Sequence, residues 1–492
     1  MSNNRPNILI ALADDASHFG IYGNDFVQTP NLDWVGRNGV VFNNAFTPNP
    51  KCAPSRACML TGRFPWQNED ACLHFNIFPS NMTLYPDVLE RAGYHVGFTG
   101  KGWGPGDYKR NGYPRNPAGN EYNQHELTPP DGTEIKPCDY TANFAEFLAD
   151  VQEGEPFCFW YGCREPHRPY KFGEGHRLPM SSDDLEGKLP SYWPDTPEVR
   201  EDVLDYASEI NWFDLHLGNM LDMLGGADLL GNTIVIVASD NGCPFPRVKG
   251  QMYEQDMHIP MVACWLNHMK GGRKVNDFVS YNDLAPTLLD LAGVEIPPEM
   301  TGKSFRYIFE TEKDGWVDAS RNEAYFGRER HDVGRESDLG YPVRCIRTPQ
   351  YLYSRNFAPD RWPAGNPETG FTNCDDSPTK DEVLRRMENG DKYYFDLSFG
   401  KRPAEELFDI VRDPECMNNL AEEPDYAAIK EELSQKLHDM LVKTNDPRIT
   451  IDPNYFEGRE YVGNMGHSWE AYRSGHFTGK KRYHFDSNSE DT

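Results

Sequence analysis

The sequence predicts an α/β fold: a large, mostly parallel sheet covered by helices on both faces, followed by a smaller C-terminal α+β domain. Three observations predict it. Apolar runs of strand length alternate with helical stretches up to about residue 300, the pattern left by parallel strands joined through crossover helices. One long stretch from about Glu198 to Leu224 carries Val199, Val203, Tyr206, Ile210, Phe213, Leu217, Met220 and Leu224 at every third or fourth place, which makes a single apolar stripe. Beyond about Glu323 the apolar runs shorten and turn residues crowd between them. The expected boundaries are 1–322 for the large domain, 323–445 for the smaller one, and 446–492 for an irregular tail.

Taken in order, Asn7–Ala13 reads as a buried parallel strand. Thr29–Asn38 reads as a helix with Pro30 in its first turn, and Val40–Phe46 as the next strand. Leu84–Ala92 is a helix closed by Gly93 and followed by strand His95–Thr99. Thr141–Val151 is helical, Phe157–Tyr161 a strand, Thr233–Ala238 another strand, and Asn282–Leu291 a helix. In the second part, Ala324–Gly327, Val343–Ile346, Tyr351–Arg355 and Tyr393–Asp396 read as short strands, and Tyr426–Thr444 as an amphipathic helix.

Composition narrows the function. Among 492 residues, 38% hydrophobic content supports a large core, and 42 Gly with 38 Pro imply many loops. Lys+Arg 49 against Asp+Glu 77 gives a net charge of −28, which disfavours nucleic acid and anionic membranes as partners. No apolar run reaches the roughly 18 residues of a membrane span. Met1 to Pro6 leads straight into the first strand, so no signal peptide is visible. The compartment stays open: the expectation is cytoplasmic for the sequence as written, and periplasmic or secreted if a leader has been removed. The 11 cysteines are scattered and odd in number, without paired metal-type spacing.

In open parallel sheets, ligands collect beyond the carboxyl ends of the strands. Two strand ends carry acidic residues: Asp14-Asp15 after the first, and Ser239-Asp240-Asn241-Gly242 after Thr233–Ala238. Each alone reads equally well as a helix cap or a turn. Together they bring three carboxylates and an amide oxygen to one sheet edge, a donor set suited to Ca²⁺ or Mg²⁺ rather than zinc. Between the second strand and the next helix lies Cys52-Ala53-Pro54-Ser55-Arg56, continuing to Leu60-Thr61-Gly62.

That run resembles the C-x-P-S-R signature of the type I, formylglycine-dependent sulfatases of the alkaline-phosphatase-like superfamily. The resemblance continues through Pro6-Asn7-Ile8-Leu9, Thr29-Pro30-Asn31-Leu32-Asp33, Gly100-Lys101, Lys249 with Tyr253-Glu254, and Glu406-Leu407-Phe408-Asp409 ahead of Asp413-Pro414-Glu415. It implies that Asp14, Asp15, Asp240 and Asn241 bind Ca²⁺, with Mg²⁺ the alternative. It implies too that Cys52 is matured to formylglycine by a dedicated maturation enzyme, and that Arg56 orients the nucleophile. Lys101 and Lys249 would contact sulfate, and His167, in Pro166-His167-Arg168, would hold sulfate or protonate the leaving group. The family's second histidine is missing: Gly100-Lys101-Gly102-Trp103 places Trp103 where it would fall.

Finer details are similar to the heparan N-sulfatase (sulfamidase) branch: Asp240 to Pro246, Pro166-His167-Arg168, His74-Phe75-Asn76, and Trp193 to Pro197. The expected function is therefore sulfate removal from a sulfated saccharide, exo-acting and of N-sulfoglucosamine type. His74, Asn76, Trp103, Arg168 and Arg247 are expected to line the sugar pocket. The alternatives are an O-sulfatase on another acidic glycan fragment, a phosphonate or phosphate monoester hydrolase, and a non-enzymatic carbohydrate-binding relative. The intact Cys52–Arg56 run argues against the last. Oligomeric state has no signature in the sequence.

Overall fold

The first strand shows why the main sheet lies in the middle of the molecule. In the computed structural model, which describes residues 5–480, β1 (Asn7–Ala13) is buried along its whole length. Ile8, Ile10 and Leu12 enter one apolar cluster, while Leu9, Ala11 and Ala13 enter another on the opposite face. A strand apolar at every position needs cover on both sides, since alternate side chains point to opposite faces. Each fully buried Leu or Ile contributes about 1.5–3 kcal/mol by leaving water.

The cover is helical on both faces. Helices α1 (Pro30–Asn38), α4 (Tyr140–Asp150) and α5 (Pro197–Gly226) pack on one side. Helices α2 (Cys52–Thr61), α3 (Tyr85–Arg91) and α6 (Leu284–Leu291) pack on the other. The stripe from Val199 to Leu224 is buried along all of α5. Thr196 starts that helix by accepting the Val199 N–H, with Pro197 in its first turn.

The sheet has eight strands: β1, β2 (Val40–Phe42), β3 (His95–Gly100), β4 (Asn120–Glu121), β5 (Phe157–Gly162), β6 (Thr233–Ser239), β7 (Met261–Trp265) and β8 (Arg273–Val275). Their spatial order is β8-β2-β7-β6-β1-β5-β3-β4. All neighbours are parallel except at β7, which runs antiparallel to both β6 and β2. The predicted strand Val40–Phe46 is broken: β2 stops at Phe42, and Ala45–Phe46 pairs elsewhere with Val279–Ser280. The break falls at Asn43 and Asn44, whose side-chain amides bond the Asn276 side chain and carbonyl.

A second, antiparallel sheet runs β9-β10-β11-β12, from Ala324–Arg328, Val343–Arg347, Tyr351–Asn356 and Glu405–Asp409. Helix α9 (Ala427–Lys443) covers it with Leu433, Leu437 and Leu441. The predicted strand Tyr393–Asp396 is instead part of helix α8 (Tyr393–Ser398). Phe395 and Phe399, four residues apart, are both buried against α7 (Pro378–Glu388), whereas Tyr393 is exposed. A four-residue period suits a helix, and four residues are too few to show it in sequence.

The expected irregular tail forms two short helices, Pro447–Thr450 and Trp469–Arg473, and is anchored where Asp446 pairs with buried Arg344. Its part beyond residue 480 and the first four residues of the chain, on which the expectation about a signal peptide falls, lie outside the described residues. All eleven cysteines are unpaired, and among the described residues no helix is long and apolar enough to cross a membrane.

Candidate active site

The carboxyl ends of β1, β3, β5 and β6 meet at one edge and each delivers a polar group there. β1 runs into Asp14 and Asp15, β6 into Asp240 and Asn241, and β3 into Lys101; the loop after β5 carries His167. Asp15 turns the chain sharply, with φ of 73°, a conformation tolerated better by Asp than by most residues. Its N–H donates to Asp240 Oδ1 (3.1 Å), and the Asp240 N–H to the Ala13 carbonyl (3.2 Å), so the two strand ends are stitched together.

Helix α2 brings the nucleophile candidate from the opposite face. Cys52 is its first residue and only 1% exposed, and the whole helix is buried. Cys52 Sγ lies 3.4 Å from Asp14 Oδ1 and 3.9 Å from Asp15 Oδ1. One turn on, Arg56 donates from Nε to Asp240 Oδ2 (2.8 Å) and from Nη1 to the carbonyls of Lys101 (2.5 Å) and Gly102 (3.0 Å). Ser55 donates to the Asp240 carbonyl at 2.6 Å. These bonds lock the Cys52–Arg56 turn to both β3 and β6.

Buried charge is tolerable only when paired. Lys101 Nζ donates to Asp14 Oδ2 (2.5 Å), and Lys249 Nζ bridges Asp15 Oδ2 (2.6 Å) and Asp375 Oδ2 (2.8 Å). Burial opposes the Asp14 charge, yet Lys101 and Arg56 hold its carboxyl well below the usual range. Burial and the neighbouring Asp14 charge push Asp240 the other way. Burial, with Asp14 beside it, also pushes the Cys52 thiol up. His167 Nδ1 lies 2.7 Å from the Arg168 carbonyl, which can only accept, so Nδ1 carries a proton and Nε2 faces Asp15 Oδ2 at 3.8 Å.

The oxygens fit a hard divalent cation. The ligand atoms of Asp14, Cys52 and Asp240 lie within 4.8 Å of one another. Asn241 donates from Nδ2 to Asp15 Oδ1 at 2.7 Å, and that bond fixes its amide. Its Oδ1 is left buried without a hydrogen-bond partner among the described residues. An orphaned carbonyl-type oxygen among three carboxylates is a cation ligand by chemistry. Asp14, Asp15, Asp240 and Asn241 are thus the residues that could hold the metal.

Asp14, Lys101, His167 and Lys249 open into a cavity of about 650 Å³, within the size range of pockets that hold a disaccharide-sized ligand. Its far wall comes from loops. His74 Nδ1 pairs with Asp332 Oδ1 (3.1 Å), and Lys51 Nζ with Asp332 Oδ2 (3.2 Å). Burial brings the His74 ring down to about 4, despite the pull of Asp332, so the ring is neutral at pH 7. With Nδ1–H given to Asp332, its Nε2 is left as a buried acceptor without a partner among the described residues. Lys51 and His74 outweigh burial and hold the Asp332 carboxyl well below the usual range. The tail backs this wall: Tyr461 reaches Asp332 at 3.3 Å, and the Val462 N–H donates to the Phe75 carbonyl.

Not every expected pocket residue is there. Trp103 lines the cavity with its indole packed edge-on against Phe78, ring centres 4.8 Å apart. Arg168 also lines it, but as a strut: its guanidinium grips Asp202 through two bonds (2.7 and 2.8 Å) and lies between the Tyr170 and Phe245 rings. Arg247 lies off the cavity, donating to the carbonyls of Leu397 and Cys416 above the Tyr253 ring. Asn76 is off it too, its Oδ1 taken by the Ile77 N–H. Lys51, Asp332 and Asp375 line the cavity without having been singled out in the sequence. Lys51 carried one signal, its place directly before Cys52.

Comparison with known proteins agrees with this geometry. Residues 6–294 match the family model "Sulfatase", and residues 248–353 match "N-sulphoglucosamine sulphohydrolase, C-terminal". The chain is 30% identical over 492 residues to N-sulphoglucosamine sulphohydrolase of Homo sapiens, covering 92% of this chain and 93% of that one. It is 27% identical over 454 residues to an ulvan-active sulfatase of Formosa agariphila, covering 90% and 81%. Its fold superimposes with a TM-score of 0.63, at 21% identity and over 91% of this chain and 99% of the other, on a protein solved with its substrate D-glucosamine-2-N,6-O-disulfate.

Proposed function

Because the chain belongs to the sulfatase family, we propose that it removes sulfate from the terminal residue of a sulfated saccharide, of N-sulfoglucosamine type. Cys52 would act in its formylglycine form, and the cation would be Ca²⁺ or Mg²⁺. The observation that carries this reading is the convergence of Cys52 and Arg56 with the Asp14, Asp15, Asp240 and Asn241 oxygens, in a buried cluster that reaches a cavity through Asp14, Lys101, His167 and Lys249. The 30% identity to a sulphohydrolase of N-sulphoglucosamine supports the sugar assignment. A cavity of about 650 Å³ on a chain of net charge −28 supports exo action, since a long polyanion would meet repulsion elsewhere on the surface.

Each residue then has a definite task. In its formylglycine form residue 52 would present a hydrated aldehyde, with a hydroxyl as the nucleophile toward sulfur. A cation held by Asp14, Asp15, Asp240 and Asn241 would supply neutralisation of charge on the sulfate oxygens. Lys101 and Lys249, already fixed by Asp14 and Asp15, bind sulfate oxygens and hold the sulfur in line with residue 52. Arg56 anchors the start of α2, so the nucleophile does not move as charge develops. When the sulfur–nitrogen bond breaks, the leaving nitrogen needs a proton. His167 Nε2 delivers it, because Nδ1 is held on the Arg168 carbonyl. His74 accepts a sugar hydroxyl at Nε2 and sets the orientation of the ring.

Mass spectrometry of active enzyme tests the nucleophile. A peptide spanning Cys52 should be lighter than its thiol form by about 18 Da, the thiol-to-aldehyde difference. Full activity with only thiol at Cys52 would overturn the mechanism. A preference for O-sulfated over N-sulfated monosaccharides would overturn the sugar assignment alone.

A further inference from the structure

The cavity has six lysine and arginine residues in its wall, and four of them are spoken for. Lys51 pairs with Asp332, Lys101 with Asp14, Lys249 with Asp15 and Asp375, and Arg168 with Asp202. The other two, Lys136 and Arg164, make no ion pair among the described residues. Lys136 feels the buried Glu209 charge from a distance, and Glu121 shares the wall, yet neither rim cation is neutralised by a carboxylate in direct contact, which in a chain with 77 acidic residues against 49 basic ones leaves both able to take an anionic ligand.

They are also built in place. The Lys136 N–H donates to Glu165 Oε1 (3.0 Å), and the Tyr140 hydroxyl to Glu165 Oε2 (2.7 Å). The Arg164 N–H donates to that same Tyr140 oxygen (3.1 Å). Glu165 is 1% exposed, and its carbonyl accepts the N–H of Asp14 at 3.1 Å. Glu165 thus pins the backbones of Lys136 and of a candidate metal ligand directly, and that of Arg164 through the Tyr140 hydroxyl, so the rim is held in register with the floor. Side chains that stay half-buried at Lys136 and exposed at Arg164 remain free to reach a ligand.

From this we propose that Lys136 and Arg164 form a second anion-binding subsite, which takes a carboxylate or sulfate on the sugar next to the one losing its sulfate. This rests on the saccharide sulfatase reading and extends it: the substrate is an oligosaccharide with two anionic groups on adjacent residues. The cavity volume of about 650 Å³ leaves room for that second sugar. An Arg offers a planar fork that matches either oxyanion, while Lys offers a point charge.

The test uses three disaccharides with the same sulfated terminal sugar, the neighbour bearing a carboxylate, a sulfate, or only neutral hydroxyls. Wild type should turn over the anionic substrates about tenfold more efficiently, through KM, with the advantage shrinking as salt is raised. The double variant Lys136→Ala/Arg164→Ala should lose that advantage, Lys136→Arg/Arg164→Lys should keep most of it, and turnover of a small aryl sulfate should be the same in all three proteins. Whether carboxylate or sulfate gains more identifies the source of the anion. No wild-type preference for the anionic substrates, or an equal loss on all substrates in the double Ala variant, would overturn the subsite. Calorimetry with the desulfated disaccharides, carboxylated against neutral, reads the same discrimination without turnover. The subsite therefore stands or falls separately from the hydrolytic mechanism.

Discussion

The two walls of the cavity are made differently. The floor is built from strand ends and the first turn of a buried helix, where Asp14, Asp15, Asp240 and Cys52 are held by backbone hydrogen bonds as well as by their side chains. The far wall is built from loops around the smaller sheet and from the tail, with His74, Asp332 and Asp375 tied mainly by ion pairs. A reaction needs atoms fixed to fractions of an ångström, and a sheet edge supplies that rigidity. Recognition of one sugar among many needs side chains that can be exchanged without disturbing the sheet, and loops supply that freedom.

The comparison breaks most sharply at Asp240. Asp240→Asn keeps the shape but removes a charge from the floor, and should lower kcat/KM about 10³-fold on saccharide and aryl sulfate alike. Chelated, metal-free enzyme should show the same loss with a lower Tm, and divalent cation should restore both. Parallel kinetics and thermal melts check this, and retained turnover in either would refute the metal assignment.

The next effect is on how the small sheet is clamped to the rest. Glu254 pairs with Arg347 of β10 at 2.8 Å and with His258 at 3.0 Å. Burial alone would raise the Glu254 carboxyl, but Arg347 and His258 bring it down to about 2. A folded value below the unfolded one means stability that is present above about pH 4.5 and lost as pH falls toward 2. The contribution at neutral pH is about 3 kcal/mol at most. Arg347→Ala should therefore move the acid-unfolding midpoint upward, measured by circular dichroism against pH. An unmoved midpoint would show that the clamp lies elsewhere.

The smallest effect should separate the walls cleanly. His74→Ala removes the hydroxyl acceptor and should cost about tenfold in kcat/KM on saccharide. Aryl sulfate turnover should change less than about twofold, since no sugar hydroxyl is then involved. Equal losses on both substrates would place His74 with the floor chemistry.

The same contrast explains what was legible in the sequence. Floor residues follow strands that can be recognised from their apolar runs, or lie within one contiguous motif, so Asp14, Asp240, Cys52 and Arg56 could all be placed beforehand. The α5 stripe was equally plain because thirty helical residues repeat its period. Asp332 and Asp375 follow no periodicity, and only the packing of the second part of the chain brings them to Lys51 and Lys249. Arg247, two residues from Lys249, shows the converse error: closeness in sequence did not bring its side chain to the cavity, because the carbonyls of Leu397 and Cys416 hold it elsewhere. The antiparallel direction of β7 is not legible in the sequence, because an apolar strand reads alike in either direction and the partners that fix it, β2 and β6, are chosen only by packing.

The burial of α2 has a consequence for the order of events in the life of the chain. Cys52 is 1% exposed, and every residue of its helix from Cys52 to Thr61 is covered. No enzyme could thread this segment into its own active site once the sheet has closed over it. If Cys52 is matured as proposed, its oxidation would have to precede this burial, on an extended chain before the strand ends assemble. On that reading the run from Cys52 to Arg56 would be read twice: first as a linear peptide by a modifying enzyme, and afterwards as a helical turn by the fold. Copies that fold too early would be trapped with a thiol, intact in structure and beyond later repair.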